Sequence, residues 1–212
     1  MAAKTALKSK SKGTATKPAE KPRAADKIRA TARELFYREG IRAVGVDEIV
    51  QRAGVTKPSL YRAYASKDEL AAAYMRDYES DFWKRFDAPA ADHPGDPQGR
   101  ILAYLAGLSE RTRDGYRGCG LTNAVVEYPD SAHPARRVAE ANKATLRKRL
   151  RELAAEMGAA DPAALGDGLL LLIEGTLVSG QIFGKGGPGT ALTAAAEALI
   201  AAHMKPKKNT TK

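Results

Sequence analysis

The chain has 212 residues, 43% of them apolar and 28% charged; it is long enough for a small head on a larger body and too apolar to be disordered throughout. Its formal net charge of +10 would suit a nucleic-acid partner, but the charge is confined to the ends. Lys4, Lys8, Lys10, Lys12, Lys17, Lys21 and Arg23 stand against Glu20, and Lys205, Lys207, Lys208 and Lys212 add to them, so the residues between are neutral overall.

Residues 1–22 and 205–212 consist largely of Lys, Ala, Thr, Ser and Pro. Such segments bury too little surface to offset their ordering entropy and are predicted to be disordered basic tails, available to phosphates or merely solubilising. The start lacks the apolar stretch of an export signal, and the single cysteine, Cys119, has no partner for an internal disulfide. A cytoplasmic protein is expected, associated with the nucleoid when bound to DNA. The most apolar run, GLLLLIEGTLVSGQIF at 168–183, is shorter than the ~20 residues of a bilayer span and contains Glu174. It reads as a buried helix, with no membrane association.

From Ala24 to Glu39, Ile28, Ala32, Leu35 and Phe36 recur at helical spacing, and Gly40 ends the helix. Val46 to Ala53 gives a short second helix, with Asp47 and Glu48 in its first turn. Gly54 closes it, Thr56 can cap a third helix, and Pro58 sits where a missing N–H costs nothing. Ser66 and Glu69 form a capping box that opens a fourth helix running to about Phe86. APAADHPGDPQG at 88–99 then breaks the chain with prolines and glycines. Beyond it, helices are predicted at about 97–114, 119–128, 134–158, 162–184 and 190–203. No segment alternates as a half-buried strand would, so an all-α fold is expected: a helix-turn-helix head at 23–86 and a larger helical body at 87–204.

The stretch VDEIVQRAGVTKPSLYRAYASKDEL, 46–70, carries the function. A third helix of about seven residues is too short to stand alone, so its value lies in the face it presents. The second helix of such a motif enters the major groove with its N-terminal residues nearest the base edges, here Lys57, Pro58 and Ser59. Tyr61 and Arg62 add a hydroxyl and a guanidinium for phosphate or guanine, and Lys67 adds charge beside the free N–H groups of the fourth helix. Leu60 and Tyr64 also suit the core of the head, and Arg62 a solvated surface.

This stretch resembles the TetR family of bacterial transcription regulators, with its Ala-Gly-Val turn, Leu-Tyr pair, following aromatic and Ser-Lys-Asp-x-Leu. The likeness extends back through ATARELFYREGIRAV, and RGCGLTNAVVEYPDSAHPARR looks like a body found in part of the family. The resemblance implies an Ω-shaped homodimer on a double-stranded DNA operator, joined through its last two long helices, with a small-molecule effector bound in the body. It assigns base and backbone contact to Lys57, Pro58, Ser59 and Tyr61 and phosphate contact to Lys67; with Thr56, Arg62 and Tyr64 beside them on the same short helix and its ends, these are the candidate DNA-binding residues. Ala63 departs from the pattern, standing where many members have a phosphate-contacting His.

For the effector, Asn123 and Glu127 lie four apart on one helix face with Tyr128 beside them, and Tyr104 lies on a neighbouring helix; each is equally readable as surface or core. Glu174 is too costly to bury alone, so it faces the pocket or pairs at the dimer seam. The seam itself is expected on Leu169, Leu172, Ile173 and Leu177, with Gly175 and Gly180 allowing close approach. His93, His133 and His203 have no metal-ligand spacing, and no phosphate-cradling loop or nucleophile elbow is present, so no enzyme, metal or cofactor is expected. The alternative to a regulator is a sequence-tolerant, nucleoid-type DNA-binding protein that relies on its basic tails.

Overall fold

The computed structural model describes residues 23–111 and 116–204; both basic tails lie outside them. The described residues form nine α-helices and no strand, the one extended pairing being an isolated bridge between Ala159 and Met204.

The head consists of α1 (Ala24–Glu39), α2 (Val46–Ala53), α3 (Lys57–Ala63) and the first turns of α4 (Lys67–Asp87). Ile28, Ala32, Leu35 and Phe36 of α1, Ile49 of α2, Leu60 of α3 and Leu70 of α4 close one buried cluster. Gly54 ends α2 in the left-handed conformation, φ 62° and ψ 42°, which residues with a Cβ adopt at a cost. Thr56 then caps α3 by accepting from the Ser59 N–H, and Ser66 caps α4 by accepting from that of Glu69 at 3.1 Å. The helix-turn-helix is therefore set by local chemistry at each junction.

α4 leaves the head and packs along the body helix α7. Phe82 and Phe86 are buried on its body half, where Phe86 meets Tyr104 with ring centroids 4.9 Å apart. A 3₁₀ turn at Ala88–Ala91 follows, then α5 (Pro97–Ser109), α6 (Gly120–Glu127), α7 (Pro134–Glu156), α8 (Pro162–Phe183), a second 3₁₀ turn and α9 (Leu192–His203). α5 ends at Ser109, before the expected limit at 114, of which 112–114 lie outside the described residues: Ser109 Oγ donates to the Ala106 carbonyl at 2.8 Å, and Arg111 N–H donates to Leu108 O in a tighter turn.

The pairing of α7 with α8 is the centre of the body. Leu146, Leu150 and Leu153 bury against Leu165, Leu169 and Ile173. A Cβ on Gly166 would lie 2.7 Å from the backbone of Arg151, so the two helices meet where only hydrogen fits. Asp167 beside it accepts paired hydrogen bonds from Arg147 and Arg151 at 2.6 to 2.8 Å, and these arginines hold its carboxyl far below the usual range.

One expectation needs correction. Leu169, Ile173 and Leu177 do not form a seam: they are at most 8% exposed within one subunit, and Leu172 is partly buried against the same core. The apolar residues that α8 leaves outside are Leu171, Val178 and Ile182, on the opposite face because α7 and α9 cover the first, and Phe183 at its C-terminal end. α8 keeps the bounds expected for it to within a residue; at 22 residues it is long and apolar enough to cross a membrane by composition. One face of it packs against α7 and α9, and its Glu174 is ion-paired to Lys143.

Candidate functional site

α3 stands at the outer end of the head with only Leu60 buried. Lys57, Pro58, Tyr61 and Arg62 are exposed, Tyr61 by 50%. Lys57 Nζ lies 2.7 Å from Asp47 Oδ1, and that hydrogen bond raises its pKa above the ordinary lysine value. The ion pair holds the ammonium beside the first turn of α2. Ser59 Oγ lies 3.0 Å from Thr56 Oγ1, so these hydroxyls form one polar unit beside Lys57. Tyr64 is half-buried against the head core, and burial raises its phenol.

Lys67 occupies a different place, donating from Nζ to the Arg42 carbonyl at 3.2 Å across the α1–α2 turn. Burial lowers its pKa, yet its ammonium shares the outer rim of the head with Arg42. The neighbouring Arg42 N–H donates to Glu127 Oε2 at 2.9 Å, and its guanidinium donates to the Glu127 carbonyl at 3.3 Å. The tip of α6 in the body is thus bonded directly to the turn before α2.

The five residues expected to orient a ligand do not gather around one space. Tyr104 is buried against Phe86. Asn123 donates to the Arg117 carbonyl at 2.7 Å, and Glu127 is engaged with Arg42. Tyr128 stacks on His133 at 3.5 Å between centroids, and His133 Nε2 lies 3.3 Å from Asp68 of the head. Glu174 accepts from Thr122 at 2.9 Å and from Lys143 at 2.5 Å, inside one subunit rather than at a seam. Burial opposes the charge on Lys143, but Cys119 and Glu174 outweigh it and leave the pKa raised; the ammonium is 3.5 Å from the buried Cys119 Sγ. Asn123 and Glu127 do border a shallow hollow of about 330 Å³ between α1, α6 and α8.

A larger cavity of about 580 Å³ lies between the head and the body. Its walls are Arg33, Tyr37 and Arg38 from α1, Tyr74, Tyr78 and Arg85 from α4, and Arg111 and Tyr116 from the body. Burial raises the phenols of Tyr74 and Tyr78, and pushes Tyr116 up to about 12, so all three are neutral hydrogen-bonding groups near neutral pH. The Tyr37 hydroxyl donates to Gly118 O at 3.2 Å and accepts from the Arg117 N–H at 3.1 Å. Sequence reasoning missed this constellation. The one available signal was the i, i+4 repeat of Tyr74 and Tyr78, with Arg85 two turns on, which also reads as an ordinary amphipathic face.

A helix-turn-helix with an exposed second helix, carried on an all-helical body, is the build of a DNA-binding transcription regulator. The comparisons agree. The family model described as bacterial regulatory proteins, tetR family, matches residues 28–74. A TetR-family transcriptional regulator from Streptomyces coelicolor is 30% identical, superposes with a TM-score of 0.78, and is matched over 97% of its length and 86% of this chain. A TetR-type regulator from Streptomyces avermitilis is 31% identical with a TM-score of 0.74, over 97% of its length and 85% of this chain. The Escherichia coli HTH-type transcriptional regulator YjdC is 26% identical over 149 residues, 77% of its own length and 69% of this chain. The chain belongs to the TetR family of bacterial transcription regulators, which bind DNA and are not enzymes.

Proposed function

We propose that the protein is a homodimeric repressor that reads a palindromic operator with α3 and is released when a small-molecule effector fills the cavity between head and body. The observation that carries this reading is the ownership of that cavity. α1 supplies one wall, α4 the second and the body the third, so a ligand there bears on the angle between reader and body. The reader is assigned to Lys57, Pro58, Ser59, Tyr61 and Arg62, with Thr56 and Tyr64 setting the ends of α3 and Lys67 anchoring a phosphate. In this reading 23–86 and 87–204 are the functional divisions, with α4 as the lever that belongs to both.

Dimerisation is assigned to the outer face of α8. Leu171 is 73% exposed, Val178 45% and Ile182 68%, and Gly175 among them has open space at its Cβ position. A contiguous apolar strip of this kind is the usual mark of an interface. The basic tails add affinity for DNA of any sequence.

Footprinting on genomic fragments tests the function. A discrete, two-fold symmetric protected site is expected, lost on addition of the effector. Uniform protection of all fragments would instead identify a sequence-tolerant DNA-coating protein, the reading favoured by a net charge that resides wholly in the tails.

A further inference from the structure

Among the described residues, the charges on the cavity wall do not balance. Arg33 is matched by Asp81 at 2.6 Å and Arg38 faces Glu34 at 3.8 Å. Arg85 and Arg111 have no carboxylate partner among the described residues, and Arg85 Nε is buried without any hydrogen-bond partner. The two guanidiniums also feel each other. Both line the same cavity; burial lowers Arg111 below the ordinary arginine value, Tyr104 opposes that, and Arg85 adds to it. Like charges held on one half-buried wall are costly unless an anion joins them. The neighbouring surface is aromatic: Arg85 lies 5.9 Å from the centre of the Tyr78 ring, and the Tyr74 hydroxyl is buried with no partner.

A neutral ligand would leave both guanidiniums unanswered, and an inorganic anion would leave most of a tyrosine-lined space of about 580 Å³ unfilled. We propose that the cavity takes a small aromatic carboxylate, with its anionic group held by Arg85 and Arg111 and its ring among Tyr37, Tyr78 and Tyr116. The planar guanidinium fork matches the two oxygens of a carboxylate, which a point charge would not. The tyrosine rings supply flat apolar contact, and the Tyr74 hydroxyl supplies a hydrogen bond to a substituent. This inference rests on the reading of the cavity as the effector site and adds the chemistry of the effector.

The test is calorimetric titration of the full-length protein with benzoate, 2-naphthoate and indole-3-acetate, each beside its neutral amide. At least one acid is expected to bind about tenfold or more tightly than its amide, since a charge-assisted pair is lost in the amide. Arg85→Gln and Arg111→Gln should each weaken that acid by a similar factor and leave amide binding unchanged. The ligand-free variants should melt no lower than the parent, because each substitution removes a repulsion. Arg111→Lys, which keeps the charge and loses the fork, should fall between. Acids no tighter than their amides, or folded Gln variants that bind the acid like the parent, would overturn the proposal. Release from an operator fragment is read separately by fluorescence anisotropy. An acid bound through both arginines that leaves DNA affinity unchanged upholds the anion site and overturns the effector reading; an amide that binds equally well and releases DNA does the reverse.

Discussion

The Glu127 carboxylate at the end of α6 accepts the backbone N–H of Arg42 at 2.9 Å, so a body side chain caps the turn that leads into the DNA-reading helices. Gly40 next to it has φ 94° and faces the same carboxylate. Body and reader are joined at that point by hydrogen bonds rather than by apolar packing alone. Such a contact can be broken without unfolding either side.

Glu127→Ala should therefore loosen the head on the body while leaving both folded. A loss of about 1 kcal/mol is expected for a partly exposed charge-assisted bond, with faster amide exchange at Arg42. Exchange at Arg42 equal to that of the parent would show that the bond does not hold the turn.

Lys67 and Ser59 should separate affinity from preference. Lys67→Ala is expected to weaken binding to every DNA sequence and to lower the salt slope by about one phosphate contact. Ser59→Ala, on the α3 face with Lys57, should change the ranking of operator variants instead. Binding titrations on a set of single-base operator variants at two salt concentrations check both, and the opposite pattern would exchange the two roles.

The outer face of α8 should control assembly. Leu171→Glu combined with Ile182→Glu places two charges on an exposed apolar strip, where they cost the monomer little and a desolvated seam several kcal/mol. Light scattering at micromolar concentration should report a dimer for the parent and a monomer for the double variant. A parent that runs only as a monomer would remove the assigned seam.

Asp167 gives a pH dependence of known sign. Arg147 and Arg151 hold its folded pKa well below the usual carboxylate value, so the stability it contributes is complete above about pH 4. That contribution is lost as pH falls through the depressed folded value, when the unfolded chain takes up the proton first. Asp167→Asn should lower the melting temperature at pH 7 and flatten its fall in acid. Thermal melts between pH 2 and 7 read both, and parallel curves for parent and variant would show that the clamp contributes nothing to folding.

Deletion of residues 1–22, which lie outside the described structure, should keep the identity of the operator, lower affinity about tenfold or more near physiological salt, and flatten the salt dependence. The reason is the weak charge of the reader: residues 24–86 carry nearly balanced acids and bases. Identical affinities and slopes for full-length and truncated protein would leave the tail a solubilising role only.

The sequence by itself determined the elements and the reader. Gly54, Thr56 and Ser66 act on their immediate neighbours, so the turn of the helix-turn-helix and the caps of α3 and α4 could be placed from spacing alone. The all-helical body followed in the same way from prolines and glycines at element ends. Only the tertiary structure decided which face of each body helix is inside. α8 is apolar nearly all round, so periodicity could not tell Leu169, which is fully buried, from Leu171, which the described residues leave 73% exposed. The cavity was decided there as well. Tyr37, Tyr78, Arg85 and Arg111 come from three distant stretches of chain, and their convergence depends on the angle at which α4 crosses from head to body, a property of packing that no local pattern encodes.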